Sequence, residues 1–172
     1  PGKMASILGL TIEQVKEIAQ ATNVEIANIN SSSQIVISGG VKEIEAAKKL
    51  AEAKGAKGVI FLQVSGAFHS SLMKGAALKL AQELEKVTFC LPKGVLIANV
   101  DALPANSIRA IKDNLIKQVY SSVLWEPSMR FMLAQGVRDF VEFGPGKVLK
   151  GLMRRIDATA QVANIEKKED IL

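Results

Sequence analysis

Along the first sixty positions apolar residues recur alternately at two spacings, and each change of spacing marks a new element. Ala5–Leu10 is a short apolar run that predicts a strand. Thr11-Ile12-Glu13-Gln14 then fits a capping box, with Gln14 three residues after the capping threonine. Val15, Ile18 and Ala19 follow at helical spacing. Val24–Ile29 predicts a second strand, Asn30–Ser33 a turn, and Gln34–Ser38 a third strand closed by Gly39-Gly40. Val41–Ala53 carries Ile44, Ala47 and Leu50 on one helical face, and Gly55 stands where a helix C-cap is expected. Gly58–Val64 predicts a fourth strand. The order βαββαβ is the ferredoxin-like split βαβ pattern. It predicts a four-stranded antiparallel sheet over residues 4–63 with both helices on one face.

Beyond residue 64 the pattern changes. Ser70–Lys86 predicts a long helix, with Leu72, Met73, Ala76, Leu80 and Leu84 at helical spacings. Pro92 and Gly94 precede Val95–Val100, which predicts a buried strand. Ser107 caps a helix expected to reach Tyr120, and Pro127 opens another that Gly136 ends. Asp139–Phe143 predicts a strand, Gly144-Pro145-Gly146 a tight loop, Lys147–Ile156 a last helix and Gln161–Ile165 a last strand. Strands and helices alternate here as in an α/β sheet. Three strands are few for parallel strands that need cover on both faces, so that sheet reads as incomplete.

Composition narrows the function. The chain has 172 residues, 48% hydrophobic and 23% charged, the make-up of a globular protein rather than a disordered one. No run of eighteen apolar residues spans a membrane, and the first residues lack the pattern of a secretory signal. Cys90 is the single cysteine, which excludes a disulfide within the chain and suits a reducing compartment: the cytoplasm, or an organelle stroma such as that of a plastid. His69 is the single histidine. A Cys/His zinc site needs about four ligands, so no self-contained metal site is expected. A net charge of +5 with only 5% aromatic residues argues against nucleic acid and suits an acidic protein partner.

Five ordered stretches then narrow the reading. They are Asn28–Gly39 (NINSSSQIVISG), Val64–Ser70 (VSGAFHS), Asn99-Val100-Asp101, Gln118–Trp125 (QVYSSVLW) and Glu142–Leu149 (EFGPGKVL). In this order the chain resembles the acyltransferase family of fatty-acid and polyketide synthesis, and most of all its bacterial-type malonyl transacylase branch. The resemblance runs over nearly the whole chain. It implies a ferredoxin-like subdomain (residues 1–63) followed by the C-terminal portion of an α/β-hydrolase-like core (residues 64–172). The implied chemistry moves a malonyl group from malonyl-CoA to a serine, then to the phosphopantetheine thiol of acyl carrier protein, with no bound cofactor. The family's Gly-His-Ser-x-Gly-Glu elbow, which presents that serine, does not occur in this sequence. Nor do its malonyl-binding arginine and its oxyanion loop, all of which the family carries upstream. The expectation is a C-terminal fragment that is inactive alone and partnered by the missing N-terminal segment.

The residues bear several readings. His69, in a Gly-rich loop between a strand and a helix, is suited to be a general base, though a capping or core histidine has the same context. The resemblance makes it the catalytic base. It implies that Gln118 holds the other ring nitrogen through its backbone carbonyl; taken alone, Gln118 is an exposed glutamine near a helix end. Phe68 would fill the space that an α-methyl group on the acyl chain needs, favouring malonyl over methylmalonyl, or serve as a core residue, or both. Asn28 and Asn30 match polar positions lining the family's cleft, while turn chemistry explains Asn30 equally well. Gly144-Pro145-Gly146 reads as a backbone device and Cys90 as a packing residue. Lys147, Lys150, Arg154 and Arg155 form either a solvated helix face or a basic surface for acyl carrier protein. The rival function is a non-catalytic ferredoxin-like binding or interaction module. The lack of aromatics in Val24–Ile29 and Gln34–Ser38 speaks against RNA on that sheet.

Overall fold

A computed structural model describes Gly2–Ile171. In its first strand, β1 (Gly2–Leu8), neighbouring residues face opposite ways and both faces are buried. Ala5 and Ile7 point to one side, where they meet Ile35 and Ile37 of β3 (Gln34–Gly40). Two helices complete that core. Val15, Ile18 and Ala19 come from α1 (Ile12–Thr22), and Ile44, Ala47 and Ala51 from α2 (Val41–Ala53). Burying one such isoleucine stabilises the fold by about 1.5–3 kcal/mol. Met4 and Val36 point to the other side, against Ala27 of β2 (Glu25–Ser31) and Leu62. With β4 (Gly58–Phe61) the strands form one sheet in the order β2-β3-β1-β4, antiparallel throughout. This is the expected four-stranded sheet with its helices on one face.

Local chemistry sets the element ends. Gln14 N donates to Thr11 Oγ1 at 3.3 Å and Thr11 N to Gln14 Oε1 at 2.9 Å, closing the capping box at the head of α1. At the end of α2, Ala56 N donates to Ala51 O and Gly55 N to Glu52 O, both at 3.0 Å. That is a Schellman closure, and it requires the left-handed φ of +86° that Gly55 adopts. β2 is longer than expected: it runs to Ser31, and Ser31 pairs with Gln34 across a two-residue turn. Two irregularities interrupt its register, between Ile26 and Asn28 and between Ile29 and Ser31.

Several expectations fail from residue 61 on: β4 stops at Phe61 rather than Val64, and Cys90, read as a packing residue, is exposed. The helix expected over Ser70–Lys86 opens as a 3₁₀ turn, Ser71–Met73, before α3 (Lys74–Glu85). Val95–Val100 is no buried strand. Val95 is 77% exposed and Leu96 42%. A parallel or central strand needs neighbours on both edges. Here Ala98 N bonds to Leu103 O and Ala105 N to Leu96 O, so the run folds back on the residues that follow. Then come α4 (Ile108–Lys117), capped by Ser107, and α5 (Trp125–Ala134).

Packing divides the chain into two compact units after Ser128. In the second unit β5 (Asp139–Phe143) leads through α6 (Val148–Ile156) to β6 (Gln161–Ile165), which pairs with β5 in parallel. Both carboxylate oxygens of buried Glu142 accept from the head of α6, from Leu149 N and Lys150 N at 2.9 Å. Gly144 and Gly146, at φ +131° and +82°, make the turn that allows this. After α6, the Thr159 hydroxyl and amide both donate to Asp157 and hold its carboxyl below the usual carboxylate range.

Ile37→Ala should lower the unfolding free energy in urea by about 2–5 kcal/mol, the cost of a cavity in a tight core. Val95→Ala should change it by less than about 0.5 kcal/mol, as befits an exposed side chain. A loss of core size in Val95→Ala would restore the buried strand.

Candidate active site

Ala67, Phe68 and His69 follow β4 in a loop laid along the start of β1. The approach is close: a Cβ on Gly2 would lie 2.5 Å from Ala67 Cβ and 2.8 Å from Ala67 N. Ala67 is buried, and the Ser70 hydroxyl, itself fully buried, donates to Ala67 O at 2.7 Å. Between those anchors His69 takes a left-handed backbone, φ +57°. Such a conformation is uncommon for a residue with a side chain and is held only where neighbours fix it.

The half-buried imidazole places Nδ1 at 2.7 Å from the backbone carbonyl oxygen of Gln118. A carbonyl can only accept, so Nδ1 carries the proton in this pair and Nε2 of the neutral ring keeps its lone pair. Nε2 has no protein partner among the described residues. The ring borders an open depression of about 440 Å³, shared with Lys16, Glu25, Ile26, Tyr120, Ser121 and Ser122. An imidazole fixed at one nitrogen and open at the other can take up a proton and return it.

Gln118 follows the last turn of α4, and its amide donates to Asn114 O at 2.9 Å. Its side-chain oxygen accepts from Asn99 Nδ2 at 3.3 Å, whereas the imidazole pairs with its backbone oxygen. The segment after it is tied to the edge of β2. Val123 N donates to Ala27 O at 2.8 Å, Ile29 N to Val123 O at 2.9 Å, and the Ser122 hydroxyl to Ile26 O.

Of the residues singled out in the sequence, His69 and Gln118 come together, 49 positions apart. Phe68 stands beside His69, 37% exposed, and does not border the depression. Asn28 pairs with Val36 and bridges to Val123, and Asn30 sits half-buried in β2. Neither side chain bonds to His69 among the described residues. Sequence reasoning missed Glu25, whose Oε1 accepts from Ser71 N at 2.8 Å and Ser71 Oγ at 2.6 Å. A lone acid at a strand start gives no local sign of a partner 46 residues away.

No family model matches the chain. Curated relatives do. A malonyl CoA-acyl carrier protein transacylase of Bacillus subtilis strain 168 is 41% identical over 99% of this chain and 55% of its own length. That of Escherichia coli K12 is 43% identical over 90% of this chain and 52% of its own length. Among solved structures, an acyl carrier protein S-malonyltransferase from Vibrio cholerae O1 biovar eltor superposes with a TM-score of 0.95 at 37% identity, over 99% of this chain and 57% of that one. A malonyl-transacylase solved in complex with a type II PKS acyl-carrier protein matches at 0.91 and 38%, over 99% and 56%. The chain thus spans about half the length of the curated relatives it matches. Over nearly its whole length the chain is thus similar, in fold and in sequence, to about half of a malonyl CoA-acyl carrier protein transacylase.

The seating of the histidine loop on Gly2 is open to test. Gly2→Ala puts a methyl group against Ala67 backbone and should cost about 1–3 kcal/mol, the usual penalty of overpacking. It should also move the His69 imidazole resonances in NMR. Unchanged resonances would show that the loop is not held by that contact.

Proposed function

We propose that this chain supplies the base-bearing part of a malonyl-CoA:acyl-carrier-protein transacylase of fatty-acid synthesis. The observation that carries the reading is the 2.7 Å contact from His69 Nδ1 to the Gln118 carbonyl, which leaves Nε2 open. In the complete enzyme a serine hydroxyl, brought by a segment with the Gly-His-Ser-x-Gly-Glu elbow, gives its proton to His69 Nε2 and attacks the malonyl thioester carbonyl. The C–S bond to coenzyme A breaks, and the departing sulfur takes the proton back. The phosphopantetheine thiol of acyl carrier protein then loses its proton to His69 and attacks the serine ester, and the serine oxygen leaves with that proton. These steps are acyl and proton transfers and ask for no bound cofactor.

Other parts of the reading come from likeness to the family. Phe68, the residue before the base, lies outside the depression beside His69 in this chain; in the complete enzyme it would narrow the space beside the acyl carbon and favour malonyl. Asn28 and Asn30 contribute polar groups to the cleft from β2. Residues 1–63 act as the small subdomain and 64–172 as part of the large one. Lys147, Lys150 and Arg154 are exposed on or beside α6 and present positive charge to an acidic carrier protein. The half of the enzyme with the elbow is the chain's obligate partner, and the single free Cys90 suits a reducing cytoplasm or stroma.

Incubated alone with malonyl-CoA, the chain should form no serine ester, as read by intact mass spectrometry; a stable malonyl adduct on any serine would refute this. Joined to an elbow-bearing segment it should transfer malonyl to acyl carrier protein. There His69→Ala should lower kcat by about 10²–10⁴-fold, the range for a positioned proton transfer. Gln118→Ala keeps the carbonyl and should stay within about threefold of the parent. If the side-chain amide oriented the ring instead, the loss would approach the roughly 10⁴-fold that a wrong histidine tautomer costs a serine protease.

A further inference from the structure

The His69–Gln118 contact joins two segments that reach it separately, and both hang from β2. The Gln118 side is attached by the ladder bonds of Val123 to Ala27 and Ile29. The His69 side is attached at the neighbouring residue, Glu25. Its carboxylate accepts from both the amide and the hydroxyl of Ser71, the first residue of the 3₁₀ turn that leads into α3. Ser70 is the N-cap residue there, yet its hydroxyl is committed to Ala67 O and gives that turn no cap. Glu25 supplies the missing acceptor from across the fold, and a carboxylate suits the positive end of a helical turn.

We infer that Glu25 is a positioning residue for the base: it holds Ser71, two residues past His69, at a fixed height on β2. The left-handed backbone of His69 lies between two fixed points, Ala67 against Gly2 and Ser71 on Glu25. Releasing one of them lets the strained residue relax toward ordinary φ, which carries the imidazole off the Gln118 carbonyl. The opposite anchor, Ile26–Ile29 with Val123, stays in place, so the two halves of the contact part. The importance of this for catalysis rests on the reading of His69 as the base; the geometry of the ring does not.

Because His69 is the single histidine, one set of imidazole signals reports on it. Long-range ¹H–¹⁵N correlation on the full 172-residue chain reads the tautomer directly. The parent should be mainly Nδ1–H, as the carbonyl contact demands. In Glu25→Ala the Nδ1–H fraction should fall by about twofold or more, because a ring freed of its acceptor takes both tautomers. Glu25→Gln keeps an acceptor oxygen and should restore most of that fraction. Ser71→Ala, which loses one of the two bonds from the other side, should fall between. Glu17→Ala on α1, which removes an exposed ion pair with Lys54 at the end of α2, controls for general loosening. An unchanged tautomer in both Glu25→Ala and Ser71→Ala would overturn the proposal, and so would an equal change in Glu17→Ala. If Glu25→Ala fails to fold, Ser71→Ala and Glu25→Gln decide it by the same readout. In the elbow-complemented enzyme, Glu25→Ala should lower kcat by about tenfold or more with KM nearly unchanged, as misplacing a catalytic group does. A shifted tautomer with an unchanged rate would leave the positioning intact and overturn the reading of His69 as base.

Discussion

A backbone carbonyl is a good acceptor for an imidazole N–H only if its own chain segment cannot move. It has no rotatable side chain to adjust, so every error in the path of the backbone reaches the hydrogen bond undiminished. The Gln118 carbonyl meets this condition because Val123, five residues on, is laced into the edge of β2. The site therefore depends on β2 as a reference line. Its register is set against β3, whose own position is set by the core between the sheet and α1 and α2.

Two scales of energy operate along this path. The helix-side core holds a dozen buried residues and several of its members are worth about 2–5 kcal/mol each on truncation, enough to decide whether the domain folds. The links from β2 to the site are single hydrogen bonds with net worth near 1 kcal/mol each. Such links decide where an imidazole points without deciding whether the chain is folded. The separation explains how a histidine at φ +57° persists: the scaffold is stiff, and the site draws on it through a few local contacts.

The sheet was legible because each of its elements is written locally. Ile44, Ala47 and Leu50 mark one face of α2, Thr11 and Gln14 form a recognisable box, and Gly55 supplies a left-handed closure. The run from Val95 to Val100 was not, since apolar content alone does not distinguish a buried strand from an exposed one, and its partners decide the matter. His69 stood out by residue type and loop context, whereas its pairing with Gln118 came only through likeness to a family, since a backbone carbonyl has no signature in sequence. Glu25 and Ser71 escaped notice for a related reason: their contact spans 46 positions and involves two of the commonest polar side chains. The Glu142 cap has a local sign, an acid just ahead of a Gly-Pro-Gly turn into a helix, the arrangement that lets both its oxygens meet amides.

The parallel pair β5–β6 has one further consequence. Val141 and Phe143, on β5, are 51% and 74% exposed, and a two-stranded parallel ribbon offers open edges on either side. Such ribbons recruit strands from whatever chain is nearest. On β5 only Asp139 offers an exposed charge there, because the Glu142 carboxylate is buried against the head of α6. Any strand that pairs with this ribbon does so through backbone groups, with Val141 and Phe143 as the apolar side chains beside them.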